Sequence, residues 1–548
     1  MPSYDIIFIH PPAHYDFRRK PLFTGALGRS VETVQFSKVP IGMLSLAEYQ
    51  DRHGYKVMID NLGDRMVTVP GFDVEQHIKN WSAQIFAIGL HFQQHSQGAI
   101  EIARLCKKFH PNSLVMLGGL TATCFHEEII EKFECVDIII RGEAEKPLLQ
   151  FLRAYEKEGK VTSAPNLTYR DDNGEIHVTP MMEASQDLDD FEFTRFDLIE
   201  PKTSIYPPDS VHRYSLEVCR GCIYNCTICG GSAYTYKKYL GMSKPAFRSP
   251  AKIVADMKKL NNQGIKFIGL FQDMRMAGKK YWQELVATLI KEKPEIERLS
   301  LDLLAPADEE FIRAIAGIGR QVIFHLCPDT GSDSVRRLLG KHYSNEALLE
   351  TMRICYKYQI PVTNFFSVGL AGETDEQMHE TWDLWAKLDH MDHEAHLKGH
   401  FGDIDKSVPI GGQILGPIVL DPGSQAFDAP EKFGFKLLYK NFEEYHQALS
   451  QPSWHQWINY ETRERDKDAI LEMIFQSTEF TIDQREKYGF FGPQEAHYER
   501  CKVEADRVIV KELENIMKLE NQKEKEFRIV SIRKNLDELE KRRMVFLD

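Results

Sequence analysis

The sequence predicts an α/β protein with an N-terminal doubly wound parallel sheet, a central partial (β/α)6 barrel and a mostly helical C-terminal region. Two successive series of short apolar runs, each alternating with helical spacing, predict the first two parts. The length of 548 residues is too great for one ordinary domain. We place the domains at 1–160, 206–420 and 421–548, with a hairpin and linker over 161–205.

The first series contains five apolar runs that are typical of buried strands: "YDIIFIH", "YKVMID", "IFAIGLH", "SLVMLGG" and "VDIIIRG". In a doubly wound sheet the ligand binds at the carboxyl ends of the strands. The residues at those ends are small or polar, as a ligand crevice requires. The candidates are Pro11, His91, Gly118, Gly119, Thr121, Gly142 and Glu143.

The alternation of predicted strands and helices is interrupted in the middle of the chain and then resumes. "NLTYRDDNGEIHVTP" predicts a hairpin that turns at Asp-Asn-Gly, and an acidic linker follows it. Six apolar runs then begin near Tyr214 with helices between them, which suits an open partial barrel with its site at the top face. Beyond Pro422 the pattern predicts aromatic-rich helices and a charged tail, which we interpret as a solvated helix or helical pair; a coiled coil is the alternative.

Composition limits the class of protein. Hydrophobic residues make up 43% and charged residues 27%, as expected for a folded, water-soluble chain, and the net charge of -13 disfavours nucleic acid as a partner. We find no apolar run long enough for a transmembrane segment and no leader at the N-terminus, so we expect a cytoplasmic protein. In that reducing compartment, clustered cysteines favour metal binding or chemistry over disulfides.

Four of the ten cysteines lie close together, at Cys219, Cys222, Cys226 and Cys229. Structural zinc sites typically use two separated Cys-x2-Cys pairs, and no second pair is present. The spacing Cys222-x3-Cys226-x2-Cys229 instead gathers three thiolates on one loop. An iron–sulfur cube normally takes four thiolates, so three leave one iron open to a substrate or cofactor.

This motif, at the start of a partial barrel, resembles the CxxxCxxC motif of the radical S-adenosylmethionine (SAM) enzymes and their TIM-like barrel. The resemblance implies a 4Fe-4S cluster held by Cys222, Cys226 and Cys229, with SAM on the open iron as the source of a 5'-deoxyadenosyl radical. Ile228 stands where the family often has an aromatic residue. We interpret Cys219 as a small side chain at the strand end, because a fourth thiolate would occupy the open iron.

The same resemblance suggests further SAM contacts. Gln272 and Asp273 end the second barrel strand, where the family often carries Gly-Gly-Glu, and Asp302 lies in the third strand. Asp329 matches a family Glu after the fourth strand, and Glu373 matches the fifth-strand "GxPGET" segment. Asp329 and Glu373 have an alternative interpretation as caps of the helices that follow them.

Residues 4–155 resemble, element by element, the Rossmann-like cobalamin-binding domain that precedes the barrel in one radical SAM subgroup. The crevice residues named above then become candidate cobalamin contacts. A Gly-x-Gly-x-x-Gly fingerprint is absent after the first strand. We interpret His53 as a surface helix residue, so cobalt would lack a histidine lower ligand, with approach of His91 to cobalt as the less favoured alternative.

Two side-chain groups remain open to interpretation. Helical spacing predicts that His390, His393, His396 and His400 share one helix face, either as a polar or substrate-contacting face or as a metal site. The C-terminal aromatic residues are either the core of a helical cap or the wall of an apolar substrate pocket. They are Phe433, Phe435, Tyr439, Trp454 and Trp457.

Together these features predict a cobalamin-dependent radical SAM enzyme that methylates an unactivated carbon. The alternatives are a cyclase or oxidative enzyme with the same cofactors, and a non-catalytic cobalamin and iron–sulfur sensor. A methylthiotransferase is disfavoured, because the N-terminal domain has no second cysteine trio. We expect a small, apolar substrate and electrons from ferredoxin or flavodoxin.

Overall fold

The computed structural model describes residues 3–15, 41–159, 161, 164–200, 213–319, 321–401 and 411–547. The predicted boundary between 205 and 206 lies outside these ranges. The strands are β1 Tyr4–His10, β2 Val57–Asn61, β3 Ala83–Gly89, β4 Leu114–Gly118, β5 Ile138–Ile140, β6 Leu167–Arg170, β7 Ile176–Val178, β8 Ile199–Glu200, β9 Arg213–Glu217, β10 Cys219–Arg220, β11 Ala246–Phe247, β12 Phe267–Phe271, β13 Arg298–Leu303, β14 Gln321–Asp329, β15 Val362–Val368, β16 Gly411–Pro417, β17 Phe435–Leu437 and β18 Tyr460–Thr462.

The helices alternate with the strands through the first two parts of the chain and dominate the third. They are α1 Ile41–Asp51, α2 Leu62–Thr68, α3 Val74–Lys79, α4 Ser96–Phe109, α5 Leu120–Cys124, α6 His126–Lys132, α7 Glu145–Glu158, α8 Ala233–Tyr239, α9 Pro250–Asn261, α10 Lys279–Glu292, α11 Glu309–Ala316, α12 Asp333–Leu338, α13 Asn345–Lys357, α14 Asp375–Leu397, α15 Gln425–Asp428, α16 Phe442–Leu449, α17 Lys467–Lys487, α18 Pro493–Met517 and α19 Gln522–Leu547.

The N-terminal sheet is doubly wound, as predicted. Its order is β7-β6-β5-β4-β3-β1-β2-β8, and β2, β1, β3, β4 and β5 are parallel neighbours. The strand order reverses between β1 and β3, and ligands of such sheets bind outside the carboxyl ends of the strands at this point. The β6–β7 hairpin pairs antiparallel with β5, and β8 joins the other edge. The predicted hairpin is therefore an extension of this sheet, and the described end of the linker, at β8, also belongs to it.

The central part is an open barrel of six parallel strands in the order β9-β12-β13-β14-β15-β16. The six predicted runs correspond to these strands. Gly269, in the middle of β12, packs closely between its neighbours, since a Cβ added there would lie 2.9 Å from Ser300 Oγ of β13 and 3.1 Å from Ser215 Oγ of β9. Ligand sites of such barrels lie at the carboxyl ends of the strands.

One hydrophobic core joins the two sheets. Ile59 and Ile199 of the N-terminal sheet, Phe193 of the connecting segment, and Leu216 and Leu270 of the barrel belong to a single buried cluster. The two sheets consequently pack on one continuous core.

The C-terminal region is mostly helical, with a small antiparallel pair, β17–β18, that the sequence did not predict. α17 and α18 pack on the barrel side through a separate core that includes Val368, Ile474 and Val503. None of the helices in the described ranges combines the length and apolar character that crossing a bilayer requires.

Phe442 of α16 fastens this region to the N-terminal domain. Its ring is fully buried among N-terminal core residues and contacts Phe125 and Phe133 at centroid distances of 5.9 and 5.5 Å. Phe442→Ala should therefore lower the free energy of unfolding by about 3–5 kcal/mol. Phe527→Ala is the matched control, because Phe527 is 74% exposed. Equal urea midpoints for the two variants would contradict this role of Phe442.

Candidate functional site

The three cysteines of the motif lie on the loop between β10 and α8, at the carboxyl end of the first barrel strand. Backbone amides donate to two of their sulfurs, from Tyr224 N to Cys222 Sγ at 3.3 Å and from Gly231 N to Cys229 Sγ at 3.2 Å. Such bonds favour the thiolate form, which is the form that binds metal.

The cysteine loop is fixed from two sides. Thr227 N donates to Leu339 O at 3.0 Å, and Gly340 lies so close that an added Cβ would be 2.9 Å from Asn225 O. On the other side, Gly230 N donates to the Asp421 carboxylate at 3.1 Å. The loop geometry is therefore set by the barrel and by the start of the C-terminal region together.

The donor set fits an iron–sulfur cluster better than a single ion. In the described part of the chain, the one group of three or more ligand atoms within 4.8 Å of one another is Asp171, Glu175 and His177, on the exposed hairpin. The cysteine sulfurs are therefore more widely spaced than a single tetrahedral ion requires. Burial raises the pKa of all three thiols, that of Cys229 to about 12, and neighbouring thiols add to the rise for Cys222 and Cys229.

Cys219 is only 1% exposed, and its Sγ contacts the carbonyl of Gly221 at 3.7 Å. This position fits the interpretation of Cys219 as a small strand-end side chain.

Two candidate SAM contacts have strained backbones. Gln272 has φ +80° and Asp329 has φ +62°, and few residues other than glycine adopt such angles. Both end barrel strands beside the cysteine loop. Such strain is common at ligand sites, which favours a functional role for these two positions. Asp302 belongs to the same edge and accepts a bond from Gln272 N at 3.1 Å.

Asp273 is engaged in structural contacts instead. Its buried carboxylate accepts bonds from the Arg275 guanidinium, the shortest at 2.6 Å, and from Leu304 N at 3.0 Å. These bonds leave the Asp273 carboxylate few free acceptor sites for a ligand. We therefore interpret Asp273 as a residue that stabilises the loops at the strand ends.

Lys341, which the sequence analysis missed, pairs with Asp329 and donates to Cys327 O at 2.6 Å. Asp329 therefore does not cap α12, whose N-cap is Ser332. Lys341 lies in the loop between α12 and α13, whereas its partners Cys327 and Asp329 belong to β14, so no sequence motif identified the contact.

Glu373 does not cap its helix either, since Thr374 is the N-cap of α14. Its carboxylate accepts bonds from Gly369 N at 2.9 Å and Leu370 N at 3.3 Å, which closes the loop after β15. Burial raises the pKa of Glu373 to about 7 despite these bonds.

The predicted crevice residues of the N-terminal domain gather at the switch point. Pro11 follows β1 and His91 follows β3, while Thr121 N and Oγ1 donate to His91 O at 3.1 and 2.8 Å. Gly119 has φ +111°, and an added Cβ would lie 2.7 Å from His91 Cα. His91 keeps an exposed surface, yet surrounding protein lowers its pKa, as expected for a side chain at the wall of a crevice. Gly118 ends β4, directly before this turn.

Gly142 and Glu143 meet the barrel domain. An added Cβ on Gly142 would lie 2.5 Å from Met181 Cε and 3.4 Å from Leu240 O. Glu143 contacts Arg220 Nη1 at 2.7 Å, so its carboxylate bridges the two domains.

Arg220 is the centre of a buried interdomain network. Besides Glu143, its guanidinium contacts Glu145 at 2.8 Å and Glu217 at 3.0 Å, and it is almost fully buried. Ser45 Oγ donates to Glu145 at 2.7 Å. Arg220 lies two residues before Cys222, so the network joins the cobalamin-type crevice directly to the cysteine loop.

The pKa values of two carboxyl groups in the network, Glu143 and Glu145, shift in opposite directions. Burial raises the pKa of Glu143 above its usual range, although Arg220 opposes the change. Burial also acts to raise the pKa of Glu145, but Arg220 and Ser45 outweigh it and hold that pKa below its usual range. Glu145 is consequently the firmest partner of Arg220.

The histidines of α14 do not converge on a metal site. His390 packs on Tyr488 and His393 on Phe490, with centroids 4.8 and 4.3 Å apart, while His396 contacts Phe401. The prediction that all four histidines share one helix face is wrong for His400, because α14 ends at Leu397 and His400 lies beyond it. In the part of the chain that the structure describes, His390, His393, His396 and His400 belong to no three-ligand group. The face packs against the C-terminal region.

Two family profiles match this chain, one over the barrel domain and one over the N-terminal domain. Residues 216–384 match the profile of the Radical SAM superfamily, and residues 30–152 match that of the B12 binding domain. These are the domain families whose cofactors the sequence predicted: a 4Fe-4S cluster, SAM and cobalamin.

Curated relatives include enzymes of different reactions. An uncharacterized methyltransferase of Pyrococcus horikoshii is 22% identical over 64% of this chain and 73% of the relative. An anaerobic magnesium-protoporphyrin IX monomethyl ester cyclase of Cereibacter sphaeroides is 24% identical over 62% of this chain and 54% of the relative. A hopanoid C-3 methylase of Methylococcus capsulatus is 21% identical over 41% of each chain. This chain spans less than two thirds of the cyclase and of the methylase.

Two solved structures share the fold. The radical SAM methyltransferase TsrM of Kitasatospora setae, with cobalamin and a [4Fe-4S] cluster bound, aligns at TM-score 0.59 and 14% identity over 88% of this chain and 89% of that one. The cobalamin-dependent radical SAM enzyme OxsB, with aqua-cobalamin and SAM bound, aligns at TM-score 0.59 and 14% identity over 97% of this chain and 75% of that one.

Cys226→Ala should abolish iron binding after anaerobic cluster reconstitution, because two thiolates cannot hold the three irons that the motif anchors. Cys219→Ala should retain wild-type iron content and visible absorbance, since its sulfur faces the backbone. Loss of iron from both variants would contradict the assignment of the cluster to Cys222, Cys226 and Cys229 alone.

Arg220→Met should lower the free energy of unfolding by about 3–5 kcal/mol, because it leaves buried carboxylates without their cation. Arg52→Met is the control; this partly exposed arginine pairs with Glu48 and Asp190, and its loss should cost about 1 kcal/mol or less. Similar urea midpoints for the two variants would show that the network does not hold the domains together.

Glu373 should make stability depend on pH. The pKa of a free glutamate is 4.5 and that of folded Glu373 about 7, so the folded state binds the proton more tightly. The resulting stabilisation, about 3 kcal/mol, is complete below the lower pKa and is lost as pH rises through the higher one. Urea unfolding across this range should show a shallower decline for Glu373→Gln than for the exposed control Glu376→Gln. Identical slopes would be inconsistent with a protonated Glu373.

Proposed function

We propose that this chain, which belongs to the radical SAM superfamily and carries a B12-binding domain, is a cobalamin-dependent enzyme that methylates an unactivated carbon. The observation that carries the proposal is the junction of the cysteine loop with the crevice of the N-terminal sheet. Arg220 joins them through Glu143 at 2.7 Å, and a Cβ added at Gly230 would lie 2.9 Å from Leu120 Cδ2 of the N-terminal domain.

The chain offers a site for each cofactor. Cys222, Cys226 and Cys229 would hold the cluster, and Gln272, Asp302 and Asp329 lie where SAM would meet the barrel edge. Pro11, His91, Gly118, Gly119, Thr121 and Gly142 would hold cobalamin. When bound, these groups supply two things: a radical that removes a hydrogen atom from the substrate, and a methyl group that is transferred to the resulting carbon radical.

The protein's own residues position the reactants and exclude water. Ile223, which follows Cys222, and Phe271, which precedes Gln272, are 52% and 53% exposed at the barrel mouth. They give this edge an apolar surface beside the cysteine loop. The Asp302 carboxylate accepts a bond from Gln272 N at 3.1 Å, and His325 Nδ1 lies 3.6 Å from Asp302 Oδ1. Fixed positioning of this kind favours the intended reaction of a radical over its side reactions.

Methyl transfer is favoured over the other reactions by two relatives. The methyltransferase of Pyrococcus horikoshii aligns over 73% of its length, and a methylase also aligns. The anaerobic cyclases support the second candidate, a cyclase or oxidative enzyme with the same cofactors.

The partners follow from the chemistry. Reduction of the cluster would take one electron, which a ferredoxin or flavodoxin is suited to supply. The substrate is a small molecule, and the net charge of -13 disfavours nucleic acid. We place the enzyme in the cytoplasm, where such electron carriers are available.

The test is a product analysis of anaerobic, reconstituted protein with hydroxocobalamin, SAM and a reductant. Methyl transfer predicts that 5'-deoxyadenosine and S-adenosylhomocysteine accumulate together, and that Cys226→Ala abolishes the 5'-deoxyadenosine. Accumulation of 5'-deoxyadenosine alone would favour the cyclase or oxidative reaction. Failure to bind cobalamin and to cleave SAM would overturn both.

A further inference from the structure

Lys341 lies in a turn that packs directly against the cysteine loop. The turn follows α12 and is made by Gly340, which has φ +83°. A Cβ added at Gly340 would lie 2.9 Å from Asn225 O and 3.5 Å from Cys226 Cα. The backbone of the turn therefore touches the backbone of the cysteine loop, and Lys341 is the next residue along the chain.

The ammonium group of Lys341 is held by the protein. The side chain is only 14% exposed, and its Nζ contacts the Asp329 carboxylate and donates to Cys327 O at 2.6 Å. Burial acts to lower the pKa of Lys341, but neighbouring groups, led by Asp329, outweigh burial and raise that pKa above its usual range. Lys341 is consequently a fixed positive charge beside the cysteine loop.

Negative side chains lie close to each cysteine of the motif. Burial is the largest cause of the raised thiol pKa values, and one carboxylate adds to the rise at each cysteine. The pairs are Asp273 with Cys222, Asp329 with Cys226 and Asp421 with Cys229. Lys341 acts in the opposite direction and lowers the pKa of Cys226. A cluster held by these cysteines would therefore lie among negative charges that Lys341 opposes.

Charges near an iron–sulfur cluster alter its reduction potential. Reduction adds one electron, so a nearby cation stabilises the reduced form and a nearby anion destabilises it. The effect is larger where protein excludes water than it is in bulk solvent. Lys341 would therefore favour reduction of the cluster, and Asp329 would oppose it.

We infer that Lys341 raises the reduction potential of the cluster by placing a fixed positive charge beside Cys226, against the negative charge of Asp329. This role rests on the proposed assignment of the cluster to Cys222, Cys226 and Cys229. It differs from a purely structural role, in which Lys341 would only tie the turn after α12 to β14. A structural role would not make the potential follow the charge at these two positions.

An anaerobic redox titration of the full-length, cluster-reconstituted protein tests this role, with the reduced cluster measured by electron paramagnetic resonance. SAM is omitted, because a reduced cluster would cleave it. Lys341→Met removes the positive charge and should lower the ratio of reduced to oxidised cluster, at a fixed potential, by about 3- to 10-fold. Lys341→Arg keeps the charge and should leave the ratio close to that of the wild type.

Asp329→Asn should have the opposite effect. It removes the negative charge paired with Lys341, so the ratio of reduced to oxidised cluster should rise by a similar factor. The double variant Lys341→Met/Asp329→Asn removes both charges, and its ratio should return close to that of the wild type. Opposite single effects that cancel in the double variant are expected from charge and not from a loss of structure.

Lys258→Met is the matched control. Lys258 also forms a pair with a carboxylate, Glu292, at 2.6 Å, but the pair lies on α9 and α10 and the lysine is 45% exposed. The ratio should therefore stay unchanged. An unchanged ratio in Lys341→Met at wild-type iron content would overturn the inference, and so would an equal shift in Lys258→Met. If Lys341→Met takes up no iron, a ratio in Asp329→Asn at or below that of the wild type would overturn it.

Iron content and 5'-deoxyadenosine formation separate this inference from the proposed function. If the wild type holds a cluster and cleaves SAM but the charge variants show no shift, the role of Lys341 is wrong and the proposed function stands. Shifts of the expected signs in a protein that cleaves no SAM would support the role of Lys341 and contradict the proposed function. A wild type that takes up no iron would overturn both.

Discussion

The contact of Arg220 with three carboxylates is the interaction on which the rest of the site depends. A buried guanidinium is stable only where its charge is matched and its N–H groups are bonded, and Glu143, Glu145 and Glu217 meet both conditions. Two of these carboxylates belong to the N-terminal domain and one to the barrel. The network therefore determines where the crevice of one domain lies relative to the cysteine loop of the other.

The cysteine loop depends on this junction because it has little regular structure of its own. Thr227 is bonded to Leu339 of the barrel, Gly230 to Asp421 of the C-terminal region, and Gly230 also lies against Leu120. All three parts of the chain thus contribute to one loop. A reaction that needs two cofactors and a substrate together benefits from such shared support, because a change in any part would move the reactants.

Local patterns predicted much of this protein. The two series of apolar runs predicted both sheets, and the spacing of Cys222, Cys226 and Cys229 predicted a cluster-binding loop, which lies at the carboxyl end of the first barrel strand. Each of these signals lies within a few residues. Long-range contacts were not predictable. The most distant carboxylate partner of Arg220 is 77 residues away from it, so nothing in the motif revealed that contact. Asp273 was a candidate SAM contact by its position in the barrel, yet its carboxylate accepts a hydrogen bond from Arg275. The histidines of α14 share helical spacing, yet His390 and His393 pack on Tyr488 and Phe490.

The central claim is that the cobalamin crevice and the iron–sulfur loop face each other across one interface. Electron paramagnetic resonance of the reduced, fully loaded enzyme tests it most directly, because the unpaired spins of cob(II)alamin and of the reduced cluster interact when they are close. The account predicts that cob(II)alamin relaxes faster in the wild type than in Cys226→Ala loaded with cobalamin alone. Equal relaxation in the two samples would contradict it.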